Sequence, residues 1–213
     1  EQSRELLTIN THQGLYQPSL LQFGVHSATG MFQREMDSRL CRIPMTKVRV
    51  DDILVSGRND TEHLQNLRLV LEELARSGLT LKISKCSFMK DEVIYCGYVI
   101  NKEGAKPMPG NVEAVVKAPA PTNLTELRGF LGMVNYYNNY VEGLATITEP
   151  LHKLMRKDVP WRWTGECDQA FEAIKGKLSS APLLTHFDMN KPIVVHCDAS
   201  QYGLGVVMSH VME

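Results

Sequence analysis

Apolar and polar positions along the chain fall into short alternating runs and longer helical ones. Leu6-Leu7-Thr8-Ile9-Asn10 and Leu15-Tyr16 flank Thr11-His12-Gln13-Gly14, which predicts a hairpin with Gly14 in an unusual backbone conformation. From Ser27 the period becomes helical, with Met31, Phe32 and Met36 on one side and Ser27 placed to cap. The run Val48-Arg49-Val50-Asp51-Asp52-Ile53-Leu54-Val55 predicts a second hairpin with two adjacent carboxylates at its tip. Asn59 and Glu62 then form a capping box for an amphipathic helix. Leu64, Leu67, Leu71 and Leu74 are its stripe, Gly78 is its stop, and His63 is expected on its exposed side. Leu79 to Ile83 alternates as a strand, and Val93 to Ile100 gives another, closed by a turn over Asn101-Lys102-Glu103-Gly104.

The second half is more helical. Pro107, Pro109, Pro119 and Pro121 bracket a short helix from Asn111 to Lys117 and mark a boundary. Asn123 and Glu126 suggest another capping box, followed by the apolar stripe Leu124, Leu127, Phe130, Leu131 and Val134. His152, Lys153, Arg156 and Lys157 lie beside Leu151, Leu154 and Met155, as a phosphate-facing surface or a solvated face. Trp161 and Trp163 are expected to anchor a helix begun by Thr164 and carrying Ala170, Phe171, Ile174 and Leu178. Finally, the β-branched run Pro192 to Asp198 ends in an acid, and Gly203 to Met208 begins a neighbouring strand. The whole is α+β, with strands around the acidic tip and helices behind it.

Composition narrows the function classes. With 213 residues, 43% hydrophobic and 22% charged, the chain can bury a real core. No run approaches the about 18 apolar residues of a membrane span, and Glu1-Gln2-Ser3-Arg4-Glu5 is unlike a signal peptide, so the expectation is an intracellular protein away from membranes. A chain that starts inside a sheet also suggests that Glu1 is a cut edge. The five cysteines, Cys41, Cys86, Cys96, Cys167 and Cys197, are scattered, with no Cys-x-x-Cys pair, which argues against a disulfide framework or a zinc site. A formal charge of −1 leaves nucleic-acid binding to local patches.

Asp51 and Asp52 carry the candidate chemistry. Neighbouring carboxylates repel, and a divalent cation relieves them, as in sites that transfer phosphoryl groups. The same pair also satisfies an ordinary turn, because Asp bonds its own backbone. His196-Cys197-Asp198 is not a metal triad, since consecutive strand residues face opposite ways.

Six sequence words, in order along the chain, resemble the reverse transcriptase of gypsy-type long-terminal-repeat retrotransposons. They are Leu21-Gln22-Phe23-Gly24-Val25, Met31-Phe32-Gln33-Arg34, Val50-Asp51-Asp52-Ile53-Leu54-Val55, Tyr95-Cys96-Gly97-Tyr98-Val99-Ile100, Leu127-Arg128-Gly129-Phe130-Leu131-Gly132, and Cys197-Asp198-Ala199-Ser200 with Tyr202-Gly203-Leu204-Gly205. The resemblance implies an incomplete polymerase palm over 1–105, with part of the fingers, a helical thumb over 106–160, and a tether with the first strands of an RNase H-like domain over 161–213. It implies Asp51 and Asp52 as polymerase metal ligands, Asp51 the more direct, and Asp198 as the first RNase H acid. Phe23 and Gly24 would lie beside the incoming nucleotide. Tyr95, Gly97 and Tyr98 would belong to the hairpin that grips the primer, and Arg128, Tyr136 and Tyr137 would meet the duplex.

The implied cofactor is Mg²⁺ in a two-metal site. The implied partners are an RNA or DNA template with its primer, deoxynucleotides, and the remainder of a Pol polyprotein. The family's other polymerase aspartate would lie before Glu1, and three RNase H acids are unmatched. The chain also departs from the family's pattern at Gln22, Thr29 and Arg49, and Arg49 is expected to share a face with Asp51 and pair with it. Two readings therefore stand: a fragment of an RNA-directed DNA polymerase with the start of an RNase H, or a catalytically dead retroelement-derived protein that binds nucleic acid or protein. A third, an unrelated metal-dependent phosphatase or cyclase, rests only on the generality of Asp-Asp turns.

Overall fold

The computed structural model describes residues 5–22, 24–200 and 203–211, with the side chains of Asp198 and Ser200 outside the description. The chain forms two compact units, Glu1–Cys86 and Ser87–Glu213. The expected division at 105/106 therefore falls inside the second unit.

In the first unit, β1 (Ile9–Thr11) and β2 (Gly14–Tyr16) make the predicted N-terminal hairpin. Helix α1 (Ala28–Leu40) follows, but Ser27 makes no side-chain cap and Met31 is exposed; Phe32, Met36 and Leu40, spaced by four, face inward instead. Strands β3 (Thr46–Arg49) and β4 (Asp52–Val55) pair in the register Thr46 with Val55 to Arg49 with Asp52. Helix α2 (Asp60–Arg76) is capped by Asn59, whose Oδ1 accepts from the Glu62 N–H at 2.9 Å. The reciprocal bond goes one residue further back than the box predicts, from the Arg58 N–H to Glu62 Oε2 at 2.7 Å.

The inward face of α2 keeps Leu74 of the leucine stripe but is otherwise displaced from it. Asn66, Val70 and Leu74 are buried and His63 is half-buried, while Leu64 and Leu71 are exposed. Met36, Leu40, Val70 and Leu74 form the core, with Phe32, Val48, Ile53 and Val55 packed against it. Leu79–Ile83 is not a strand: it is irregular up to a 3-10 turn at Ile83–Lys85. Alternation alone does not make a strand without a neighbour to complete the ladder.

In the second unit, the segment read as one strand is a hairpin, β5 (Glu92–Tyr95) and β6 (Tyr98–Asn101), extended by β7 (Ala105–Pro107). Cys96 at φ 48° and Gly97 at φ 76° make its two-residue turn, the type I′ geometry that suits strand twist. Helices α3 (Pro109–Val116) and α4 (Leu124–Tyr136) follow. The Asn123 cap repeats the displaced box, with Glu126 accepting from the Thr122 N–H at 2.8 Å. Short helices α5 (Leu144–Ile147) and α6 (Glu149–Lys153) lead to α7 (Gly165–Ser179).

The core joins Leu127, Phe130 and Val134 of α4 with Leu151, Leu154, Phe171, Ile174 and Leu178. Trp163 anchors the start of α7 as predicted, donating to Asp168 at 2.6 Å and meeting Phe171 edge-on at 6.0 Å. Strands β8 (Ile193–Ser200) and β9 (Gly203–His210) pair over their full length. No helix among the described residues is long and apolar enough to cross a membrane.

Candidate functional site

The register Arg49 with Asp52 leaves only Val50 and Asp51 in the acidic turn. Val50 has φ 55° and Asp51 a negative φ, the type II′ pattern in which glycine is the usual first residue. A β-branched side chain there costs about 1–3 kcal/mol. Contacts below the turn hold it in place: Val48, Ile53 and Val55 pack on the core, and the buried Asn66 amide donates to Ser56 O at 2.9 Å. Gln33 on α1 reaches the turn directly, accepting from the Val50 N–H at 2.6 Å and donating to Val48 O at 3.2 Å.

Asp51 and Asp52 are both exposed at this tip. Arg49 lies opposite Asp52, and among the described residues no ion pair joins it to either acid. The expected Arg49–Asp51 pair is absent because Asp51 sits in the turn rather than in strand alternation. No cluster of three or more His, Cys, Asp or Glu able to hold a metal occurs among the described residues. Two adjacent hard oxygen donors fit Mg²⁺, which takes one or two carboxylates and completes its shell with water and phosphate oxygens.

Gly24 lies exposed in the loop before α1 with φ 87°, and Phe23 lies outside the described residues. Asp198 is in β8 opposite Gly205, its side chain likewise outside the description.

Gly97, Tyr98, Tyr136 and Tyr137 are brought together where the β5–β6 turn meets the end of α4, and Tyr95 lies opposite Tyr98 in the ladder. Tyr98 stacks on Tyr136 at 5.5 Å and on Tyr140 at 5.9 Å, and meets Tyr137 edge-on at 5.5 Å. Each hydroxyl holds a backbone carbonyl: Tyr98 donates to Tyr136 O, Tyr136 to Cys96 O, Tyr137 to Gly97 O and Tyr140 to Ala105 O. Burial, reinforced by the neighbouring tyrosines, pushes the Tyr98 phenol up to about 12. Tyr137 is only 4% exposed and also accepts from Asn111 at 2.8 Å, so it is committed to packing the hairpin on the helix.

Arg128, Gly132 and Tyr136 line one exposed stripe of α4, flanked by Gly129 and Met133. A Cβ on Gly129 or Gly132 would meet nothing within 4 Å, so this chain gives no packing reason for helix-interior glycines that cost about 1 kcal/mol each. The sequence does not mark Gln33, Asn66 or Asn111 as site or anchoring residues, and Tyr140, which the tyrosine cluster offers as a nucleic-acid contact, instead holds Ala105 O. Only the i, i+4 spacing of Gln33 and Asp37 offered a local signal.

An α+β chain with an acidic two-residue hairpin is the class that the fold and site define. Residues 2–100 match the family described as reverse transcriptase (RNA-dependent DNA polymerase), and residues 163–213 match the RNase H-like domain found in reverse transcriptase. The chain belongs to the reverse transcriptase and RNase H region of long-terminal-repeat retrotransposon Pol polyproteins.

Its relatives include the Tf2-3 and Tf2-7 transposon polyproteins of Schizosaccharomyces pombe, each 34% identical over 205 residues, covering 95% of this chain and 15% of the polyprotein. The chain thus spans about 15% of the length of those curated relatives. Among solved structures, the foamy viral protease-reverse transcriptase with double-stranded DNA matches with a TM-score of 0.84 at 25% identity, covering 99% of this chain and 38% of that one. The same viral protein with an RNA/DNA hybrid matches at 0.82 and 25% identity, over 99% of this chain and 29% of that one.

Proposed function

We propose that this chain supplies the acidic hairpin of an RNA-directed DNA polymerase, the module that adds deoxynucleotides to a primer 3′ hydroxyl, together with the beginning of its RNase H. The observation that carries the reading is the exposed Asp51-Asp52 pair on a braced two-residue turn, inside the stretch that matches the polymerase family. Asp51 and Asp52 would hold Mg²⁺, which when bound neutralises phosphate charge and lowers the pKa of a coordinated hydroxyl. The chain's own part is to present these oxygens outward and fix their direction. Asp198 would begin the RNase H site.

The β5–β6 hairpin with Tyr95, Gly97 and Tyr98 would grip the primer end, and Gly24 with Phe23 would border the nucleotide. The exposed stripe Arg128, Gly132 and Tyr136 suits close approach of a template–primer duplex, with glycines admitting the backbone, Arg128 pairing with phosphate and Tyr136 offering a ring. The division into palm over 1–105, thumb over 106–160 and RNase H start over 161–213 belongs to this reading, as does a place within a longer Pol polyprotein.

With only two acids together among the described residues, nucleotide addition by this chain alone is not expected. That absence, with a cation at Arg49 opposite Asp52, favours as second reading a retroelement-derived binding protein without catalysis. The test titrates Mn²⁺ into the ¹⁵N-labelled chain and runs Mg²⁺-dependent primer extension on an RNA template, each with Asp51→Asn alongside. Broadening at Asp51 and Asp52 that the substitution removes supports the metal role, and its absence overturns it. Extension that Asp51→Asn abolishes would refute the incompleteness of the site.

A further inference from the structure

The hairpin's own ladder does not explain why its turn is held as it is. Val50 stands at φ 55°, where a β-branched residue is disfavoured, and the ladder ends at Arg49 and Asp52. We propose that Gln33 is a positioning residue that fixes the direction of Asp51 and Asp52 by holding Val50 in this conformation, an inference that rests on reading the two acids as metal ligands.

The Gln33 amide spans the turn. Its Oε1 accepts from the Val50 N–H at 2.6 Å, while its Nε2 donates to Val48 O at 3.2 Å and to Asp37 Oδ1 at 2.8 Å. The polarity of these partners admits one orientation of the amide. Asp37 carboxylate and Val48 carbonyl only accept, and the Val50 N–H only donates, so a flipped amide would lose all three bonds.

Asp37 sits one helical turn beyond Gln33 and sets the amide through this bond. The helix that carries both is held to the strands by Phe32, Met36 and Leu40, which share a core with Val48, Ile53 and Val55. Gln33 therefore grips the strand before the turn and the first residue in it, from a fixed base. A change in the φ of Val50 swings the following Asp51 and Asp52 together.

The experiment uses the ¹⁵N-labelled full chain with Mn²⁺ as probe, comparing Gln33→Met, Val50→Gly and the double variant after circular dichroism confirms folding. Amide exchange at Val50 reports the brace, and Mn²⁺ broadening at Asp51 and Asp52 reports the ligands. In Gln33→Met the Val50 amide should exchange about tenfold faster and Mn²⁺ affinity fall about fivefold. In the double variant, affinity should return to within about twofold of the unaltered chain, because glycine reaches positive φ without steric cost.

Unchanged affinity in Gln33→Met, or a loss that Val50→Gly does not restore, overturns the positioning role. Should Gln33→Met fail to fold, Asp37→Ala at its exposed position removes one of the three bonds, with an expected loss of about twofold. No loss there overturns the proposal. Absence of Mn²⁺ broadening in the unaltered chain instead sinks the metal reading itself, and with it any ligand for Gln33 to place.

Discussion

Replacing Gly97 by alanine tests how the β5–β6 hairpin is fastened to α4. Gly97 has φ 76°, and a Cβ built there would lie 3.2 Å from Asn111 Nδ2, 3.2 Å from the Tyr137 hydroxyl and 3.5 Å from Tyr136 Cε1. The left-handed backbone costs an alanine about 1–2 kcal/mol. Displacing either polar neighbour threatens the Asn111–Tyr137 bond of 2.8 Å, worth about 1 kcal/mol. The expected loss is about 2–3 kcal/mol, confined to the second unit.

Both tryptophans, Trp161 and Trp163, lie in that unit, so urea unfolding followed by tryptophan fluorescence reads it selectively. Gly129→Ala, in open space on α4, is the control and should stabilise by about 1 kcal/mol. A Gly97→Ala loss below about 0.5 kcal/mol, with the control behaving as stated, would refute the account of a crowded left-handed turn.

Other outcomes follow from the same geometry. Gly129→Ala should weaken binding of a template–primer duplex while raising stability, which fluorescence anisotropy beside urea unfolding would show; unchanged binding removes the glycine stripe from the proposed interface. The Tyr98 phenol is raised from 10.0 to about 12, so the folded state holds that proton more tightly than the unfolded chain. Its contribution to stability is whole below pH 10 and lost as pH rises towards 12, and ultraviolet titration with unfolding at each pH should show a smaller loss in Tyr98→Phe. Arg49→Tyr should raise Mn²⁺ affinity only about two- to fivefold, because Arg49 faces Asp52 without pairing; a larger gain would reveal a pair in solution. Asn123→Ala should cost about 1 kcal/mol by removing the N-cap bond of 3.0 Å to Glu126 N, read by the same urea assay.

Local chemistry was legible in the sequence wherever it was self-contained. Both Asn caps, the hairpin with Asp51 and Asp52 at its tip, the proline-bounded α3 and the Trp163 anchor form from residues close along the chain, so spacing and side-chain type suffice to find them. The ordered words that mark the polymerase and RNase H families are likewise properties of the sequence. What spacing did not decide was which face or partner won.

Leu64, Leu67, Leu71 and Leu74 read as the inward stripe of α2, and Leu74 is buried there, yet Asn66 and Val70 take the places of Leu64 and Leu71, with the Asn66 amide satisfying Ser56 O across ten residues. Leu79–Ile83 had the alternation of a strand and no ladder to join. The resemblance puts Tyr137 against the duplex, whereas in the structure its hydroxyl is held by Gly97 O and the Asn111 amide, 40 and 26 residues away. The brace from Gln33 to Val50 spans 17 residues and depends on two elements meeting at one angle. Sequence alone determined the local elements and the acids they carry, while the tertiary structure decided how those acids are held, since hydrogen bonds between distant residues have no period to read.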